Sequence, residues 1–170
     1  MVNATMVHPT WELAVESSAL VLMPCPGTKE LGLAESIEQL KASGVKAIVT
    51  AITREEMHEK HVEDLGKIAQ ANGISWIHLP IEDDAVPDEM FVEHWPTVSP
   101  QLRNLLKKGD KVALHCMGGS GRTGLLAAHL LLDMNWQLET IISQVQALRP
   151  GAFTKPEQRE YIEHVAAVIS

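Results

Sequence analysis

The sequence predicts a single α/β domain with a central, mainly parallel β-sheet flanked by helices. Apolar, β-branched runs of strand length recur along the chain, as in "ALVLM", "VKAIVTAI", "ISWIHLPI" and "KVALHC". Segments with apolar residues at helical spacing separate them, closing on Gly44 and on Asn72-Gly73. The 170 residues suffice for one substantial core, and no repeat, low-complexity tract or Gly/Ser linker marks a boundary. Residues 1–170 are therefore expected to form one domain with its core in roughly residues 20–169.

The elements follow in order. A buried strand in "ALVLMPCPG" ends near Met23, stopped by Pro24, Pro26 and Gly27. Leu33, Ile37 and Leu40 share one helical face before Gly44, and residues 45–52 are the next strand. Val62, Leu65, Ile68 and Ala69 define a second helix, and residues 74–81 a third strand that Pro80 brings to an end. Asp88 or Glu89 opens a helical stretch that Pro96 and Pro100 are expected to kink or divide. The strand "KVALHC" precedes helices over Arg122–Met134, Leu138–Leu148 and Pro156–Ile169, with Thr154 as the expected N-cap of the last. Ligands of such folds gather at the carboxyl ends of strands. Cys25, Thr53-Arg54, the acidic residues 82–84 and Cys116 all fall there.

Composition narrows the function classes. A net charge of -8 argues against a broad nucleic-acid surface or an anionic-membrane footprint, but permits a small local anion site. The two cysteines make neither a disulfide framework nor a zinc module. No apolar run approaches roughly 18 residues, and "MVNATMVHPTWEL" lacks the basic and apolar regions of a leader. A soluble protein of the reducing cytoplasm is the expectation, with no membrane or nucleic-acid partner.

The chemistry concentrates in "HCMGGSGRTG", residues 115–124. Gly118, Gly119 and Gly121 free the loop Met117–Gly121 to turn successive N–H groups inward as an anion-sized nest. The helix starting near Arg122 adds its positive end, and Arg122 a planar fork for two phosphoryl oxygens. Cys116 at the lip of this cradle is placed to be a thiolate nucleophile. A nucleotide-binding P-loop would need a lysine before Thr123, where Arg122 stands. A metal site would need more ligands than His115 and Cys116, and "HEKH" at 58–61 has the wrong spacing and reads as a solvated helix. No metal or other cofactor is expected. A packed, inert Cys116 beside a tight turn is the bland alternative.

The segment resembles the H-C-x-x-G-x-G-R-[ST]-G signature of cysteine-dependent protein tyrosine and dual-specificity phosphatases. "PGTK" at 26–29, "TREE" at 53–56 and "LPIEDDAVPDE" at 79–89 are similar to the kinase-associated phosphatase (cyclin-dependent kinase inhibitor 3) family over roughly residues 20–165. "RPGAFTKPEQREYI" also resembles the end of that family and of the cell-division-cycle-14 phosphatases.

The resemblance implies a general acid at the aspartate of a Pro-hydrophobic-x-Asp pattern. Pro80-Ile81-Glu82-Asp83 matches it, assigning Asp83, with Asp84 as the competing choice. It also implies that Gln158 of "PEQ" lies near the site and positions water, although an exposed helical glutamine would look the same. In the expected two-step displacement Cys116 attacks phosphorus, Arg122 and the loop amides hold the oxygens, and Thr123 stabilises the leaving thiolate. His115 fixes the loop from behind, or is simply packed.

The cradle carries no lysine, which disfavours polyphosphorylated lipid. No aromatic recognition loop precedes the catalytic parts, so a shallow dual-specificity pocket is expected. Trp76, Trp95 and Trp136 read as core. The resemblance implies a phosphoprotein or phosphopeptide substrate, a kinase among the candidates. A phosphoprotein-binding pseudophosphatase and a phosphatase for a non-protein monoester are the alternatives. Cys25 is read as packing, with a disulfide to Cys116 as the other choice.

Overall fold

The computed structural model describes residues 6–169; residues 1–5 and 170, the ends of the expected domain, lie outside them. A sheet of order β1-β2-β5-β3-β4 organises the chain. Its strands are β1 (Trp11–Val15), β2 (Ser18–Met23), β3 (Val45–Thr50), β4 (Ser75–His78) and β5 (Lys111–His115). All neighbours are parallel except β1, which runs antiparallel to β2. β5 is inserted between β2 and β3, pairing His115 with both Met23 and Thr50. The chain leaves β5 at the centre of the sheet's carboxyl edge, the crevice where open α/β sheets bind ligands.

The helices are α1 (Leu33–Ala42), α2 (Arg54–Glu59), α3 (Leu65–Ala71), α4 (Glu89–Lys107), α5 (Gly121–Asp133), α6 (Leu138–Leu148) and α7 (Pro156–Ile169). α1 and α3 pack together against β3 and β4, while α4 and α5 pack on β2 and β5, with α6 and α7 on α5. Every residue of α5 from Arg122 to Leu132 is buried. A helix buried all round is a core helix, so the element following the loop is packed on every side, with Arg122, Thr123 and His129 buried among its apolar residues.

Several expectations change. β1 was not expected: Leu13 and Val15 alternate with exposed neighbours, and the strand turns into β2 at Glu16-Ser17, with Glu16 at φ 53. The core therefore begins upstream of residue 20. The short helix α2 was also not expected, and α3 begins at Leu65 rather than Val62. "HEKH" straddles the end of α2, its histidines exposed and His61 at φ 57. β4 ends at His78, yet Leu79 and Ile81 still donate to Thr50 and Ala51 carbonyls and extend the ladder's line.

α4 is not divided by its prolines. Pro96 and Pro100 lie four apart on the exposed side, so the carbonyls they leave without N–H partners face water. Asp88 caps α4, accepting from Phe91 N–H at 3.0 Å. Thr154 does not cap α7. Its hydroxyl donates to the Gly151 carbonyl at 2.9 Å, and Lys155 supplies the carbonyl that accepts the first N–H groups of α7.

Candidate active site

The loop after β5 closes over its own cysteine. Cys116 is 4% exposed, and its sulfur accepts from Gly119 N–H at 3.2 Å and from the Thr123 hydroxyl at 3.1 Å. Gly119 has φ 85, and a Cβ there would lie 2.6 Å from the Met23 carbonyl carbon, so no other residue fits this turn. The loop is tied to β2 by Cys25 N–H on the Met117 carbonyl at 3.0 Å. Ser120 makes no side-chain cap for α5, which leaves first-turn N–H groups for an anion.

Arg122, 3% exposed, projects from the first turn of α5. It donates from Nη1 to Glu56 Oε1 at 2.7 Å and from Nη2 to Oε2 at 2.9 Å, and Nη1 also meets the Ile81 carbonyl at 2.9 Å. Glu56 is held by a capping box, in which its carboxylate accepts from Thr53 N–H and the Thr53 hydroxyl accepts from Glu56 N–H. Burial would raise the pKa of Glu56, but the Arg122 and Thr53 bonds outweigh it and hold the carboxyl below its ordinary range. Burial likewise opposes the charge on Arg122; the Glu56 bond, with Cys116 and Asp83 nearby, lifts its pKa above the ordinary value. The Nε proton of Arg122 has no partner among the described residues and remains for a bound oxyanion.

His115 sits behind the loop, fully buried. One ring nitrogen, Nδ1, meets the Cys116 carbonyl at 2.9 Å and so carries the proton. Nε2 then accepts from the Thr50 hydroxyl at 2.7 Å, and Thr50 accepts from Trp76 Nε1 at 2.7 Å. Burial, opposed by the bond to the Cys116 carbonyl, pushes His115 down to about 4. It is a neutral strut between β3, β4 and the loop.

Beyond β4 the chain turns through Glu82–Ala85, closed by Ala85 N–H on the Glu82 carbonyl at 3.0 Å. The two central aspartates diverge. Asp83 Oδ1 lies 3.6 Å from Arg122 Nη2, while Asp84, at φ 62, pairs with Lys155. Asp83 and Asp84 line one cleft of about 300 Å³ with Cys116, Met117, Gly118, Ser120, Gly121, Arg122 and Gln158; Gly151 and Lys155 complete its wall, and no aromatic residue lines it. Gln158 is 2% exposed rather than a surface residue, and its Oε1 has no partner.

Of the residues singled out in the sequence, Asp83, Cys116, Met117, Gly118, Ser120, Gly121, Arg122 and Gln158 line the cleft. Gly119 and Thr123 contact the Cys116 sulfur, His115 lies behind the loop on the Cys116 carbonyl, and Cys25 is packed. Burial, with the charges of Cys116 and Glu56 adding to it, pushes the Cys25 thiol up to about 12, and the thiol donates to the Pro26 carbonyl. Trp95 is core at 7% exposure; Trp76 and Trp136 are half-buried. Sequence reasoning missed Glu56 as the partner of Arg122. Thr53-x-x-Glu56 was the available signal, a capping box at a strand's end.

The sequence profile of the cyclin-dependent kinase inhibitor 3 family matches residues 15–148. The chain is 35% identical to cyclin-dependent kinase inhibitor 3 of Rattus norvegicus over 153 residues, covering 86% of this chain and 71% of the relative. The Homo sapiens protein of the same name is 31% identical, with 93% and 78% covered. Tyrosine-protein phosphatase CDC14 of Saccharomyces cerevisiae is 29% identical over 73% of this chain and 21% of its own length. Among solved structures, kinase associated phosphatase with its catalytic-site cysteine replaced by serine superposes with a TM-score of 0.85 at 28% identity, covering 97% of each chain. Tk-PTP in its active form shares the fold, with a TM-score of 0.68 at 23% identity over 88% of this chain and 91% of that one. With its profile match, its relatives and its cysteine loop in agreement, the chain belongs to the cyclin-dependent kinase inhibitor 3 family of cysteine-based phosphatases.

Proposed function

We propose that this chain hydrolyses phosphotyrosine and phosphoserine or phosphothreonine monoesters of proteins through a phosphocysteine intermediate. The observation that carries the reading is Cys116 Sγ, held by two donors at the base of a cleft that also contains Arg122 and Asp83.

In the first step the Cys116 thiolate attacks phosphorus, the P–S bond forms and the P–O ester bond breaks. Protonated Asp83 gives its proton to the departing oxygen. Arg122 and the N–H groups of Met117–Gly121 hold the equatorial oxygens as charge redistributes. In the second step Asp83, now a carboxylate, takes a proton from water as that water attacks phosphorus. The P–S bond breaks, and the thiolate returns to the Thr123 hydroxyl and the Gly119 N–H. Gln158, buried with an unpartnered Oε1 on the cleft wall, orients the water. His115 holds the loop through the Cys116 carbonyl.

Residues 117–121 carry no basic side chain for the extra phosphates of a polyphosphorylated lipid, and Lys155 on the cleft wall is paired with Asp84. No aromatic residue lines the cleft to clamp a phosphotyrosine ring. A phosphoprotein with mixed phosphoresidue tolerance fits best. The name kinase associated phosphatase for the superposed relative points to a kinase as the first substrate to try. The test is turnover on phosphopeptides bearing phosphotyrosine, phosphothreonine and phosphoserine, with a phosphoinositide control. Turnover of the peptides by wild type and none by Cys116→Ser is expected; preferential phosphoinositide turnover contradicts the substrate class, and peptide binding without turnover contradicts the enzyme.

A further inference from the structure

The phosphate loop has an outer side, and the Arg149 side chain reaches it. Arg149 follows α6 and donates from Nη2 to the Gly118 carbonyl at 2.7 Å and from Nε to the Gly119 carbonyl at 3.1 Å. Its Cζ lies 3.9 Å from the ring centroid of Trp11, the first residue of β1. The stack holds the guanidinium plane, leaving its edge for the two carbonyls.

The consequence follows from the geometry of a trans peptide, in which C=O and N–H point in opposite directions. The peptide joining Gly118 to Gly119 presents its carbonyl to Arg149 and its N–H to Cys116 Sγ, the latter at 3.2 Å. The next peptide presents the Gly119 carbonyl to Arg149, which turns the Ser120 N–H toward the opposite, cleft side. Loss of the outer donor would free both glycine-bearing peptides to rotate, and with them the N–H groups that face the sulfur and the anion. A cation on the carbonyl side also polarises each N–H toward the cleft.

We propose that Arg149, held flat by Trp11, is a positioning residue of the phosphate loop. It fixes the Gly118 and Gly119 peptides with their N–H groups inward and so sets both oxyanion affinity and the reactivity of Cys116. The proposal rests on the reading of Cys116 as nucleophile, but its first test needs no turnover.

That test is calorimetric titration of wild type, Arg149→Ala, Arg149→Lys and Trp11→Leu with inorganic phosphate. Arg149→Ala should weaken phosphate binding by about 10–100-fold, the scale of losing hydrogen bonds to a charged group. Arg149→Lys should recover part of this, and Trp11→Leu, which keeps apolar packing, should shift affinity in the same direction by less. Iodoacetate alkylation of Cys116 near pH 6, located by mass spectrometry, should slow in the same order. Lower thermal stability with unchanged phosphate affinity and alkylation rate would make Arg149 a structural residue only and overturn the proposal. If Arg149→Ala does not fold, unchanged affinity in both Arg149→Lys and Trp11→Leu overturns it equally. Abolished phosphate binding in Arg149→Ala alongside full turnover by Cys116→Ser would retain Arg149's role and discard the nucleophile.

Discussion

Arg122 and Glu56 form a two-bonded pair, Nη1 to Oε1 at 2.7 Å and Nη2 to Oε2 at 2.9 Å, across 66 residues of sequence. The pair decides which face of the guanidinium meets the cleft. It also satisfies a charge that burial would otherwise oppose. Removing one partner of a buried pair strands the other, at a cost of about 3–5 kcal/mol when burial is complete. Glu56 is 20% exposed, so solvent screens part of that.

Glu56→Ala is therefore expected to lower stability by about 2–3 kcal/mol in urea unfolding, including the lost Glu56 half of the α2 capping box. It should also raise KM for an aryl phosphate, because Arg122 loses its orientation. Glu56→Gln, which keeps an oxygen for Thr53 N–H, should lose less of both. Equal KM in all three proteins contradicts an orienting role.

Asp83 and Asp84 are separable by leaving group. Asp83 faces Arg122 in the cleft, whereas Asp84 is engaged by Lys155. Asp83→Asn should lower kcat on a poor leaving group such as phenyl phosphate by about 10²–10⁴, and far less on an activated aryl phosphate. Asp84→Asn should leave both rates within about threefold, the scale of an exposed ion pair. The reverse pattern would transfer the acid to Asp84.

The two cysteines should differ in reactivity at one pH. Cys25 is buried, with its thiol pushed up to about 12, so it stays protonated near neutrality and reacts slowly. Cys116 lines the cleft, where its sulfur meets Gly119 N–H and the Thr123 hydroxyl. Iodoacetate near pH 6 is expected to label Cys116 well before Cys25, as read by peptide mapping. Equal labelling contradicts the distinction.

Stability should fall on mild acidification. Burial pushes both His115 and His129 down to about 4 from an ordinary 6.5. They are neutral when folded, so between those values the unfolded chain binds more protons and gains on the folded one. Each contributes stability that is complete above about 6.5 and lost as pH falls toward about 4, roughly 2 kcal/mol per histidine by pH 5. Urea midpoints should drop from pH 7 to pH 5; a constant midpoint contradicts neutral buried rings.

Much of this architecture was legible because its signals are local. The β5 run, the glycines and Arg122-Thr123 are contiguous, so strand, nest and helix start could be read without knowing the fold. β1 escaped because five alternating residues and a Glu16-Ser17 turn carry no glycine or asparagine signal. The intact α4 escaped because only the folded chain shows that Pro96 and Pro100 both face solvent. Glu56 reaches Arg122 across 66 residues and Arg149 reaches the loop across 30, distances at which only folding brings partners together. Which of the adjacent aspartates faces Arg122 depends on a turn that places Asp84 at φ 62 and turns it to Lys155.

The central claim is that Cys116 carries the phosphoryl group. Acid quenching of the enzyme during turnover of an aryl phosphate, followed by peptide mass spectrometry, tests it most directly. A phosphoryl group on the Cys116 peptide, absent in Cys116→Ser, is the expected result. A phosphoryl group on any other residue, or undiminished turnover by Cys116→Ser, would contradict it.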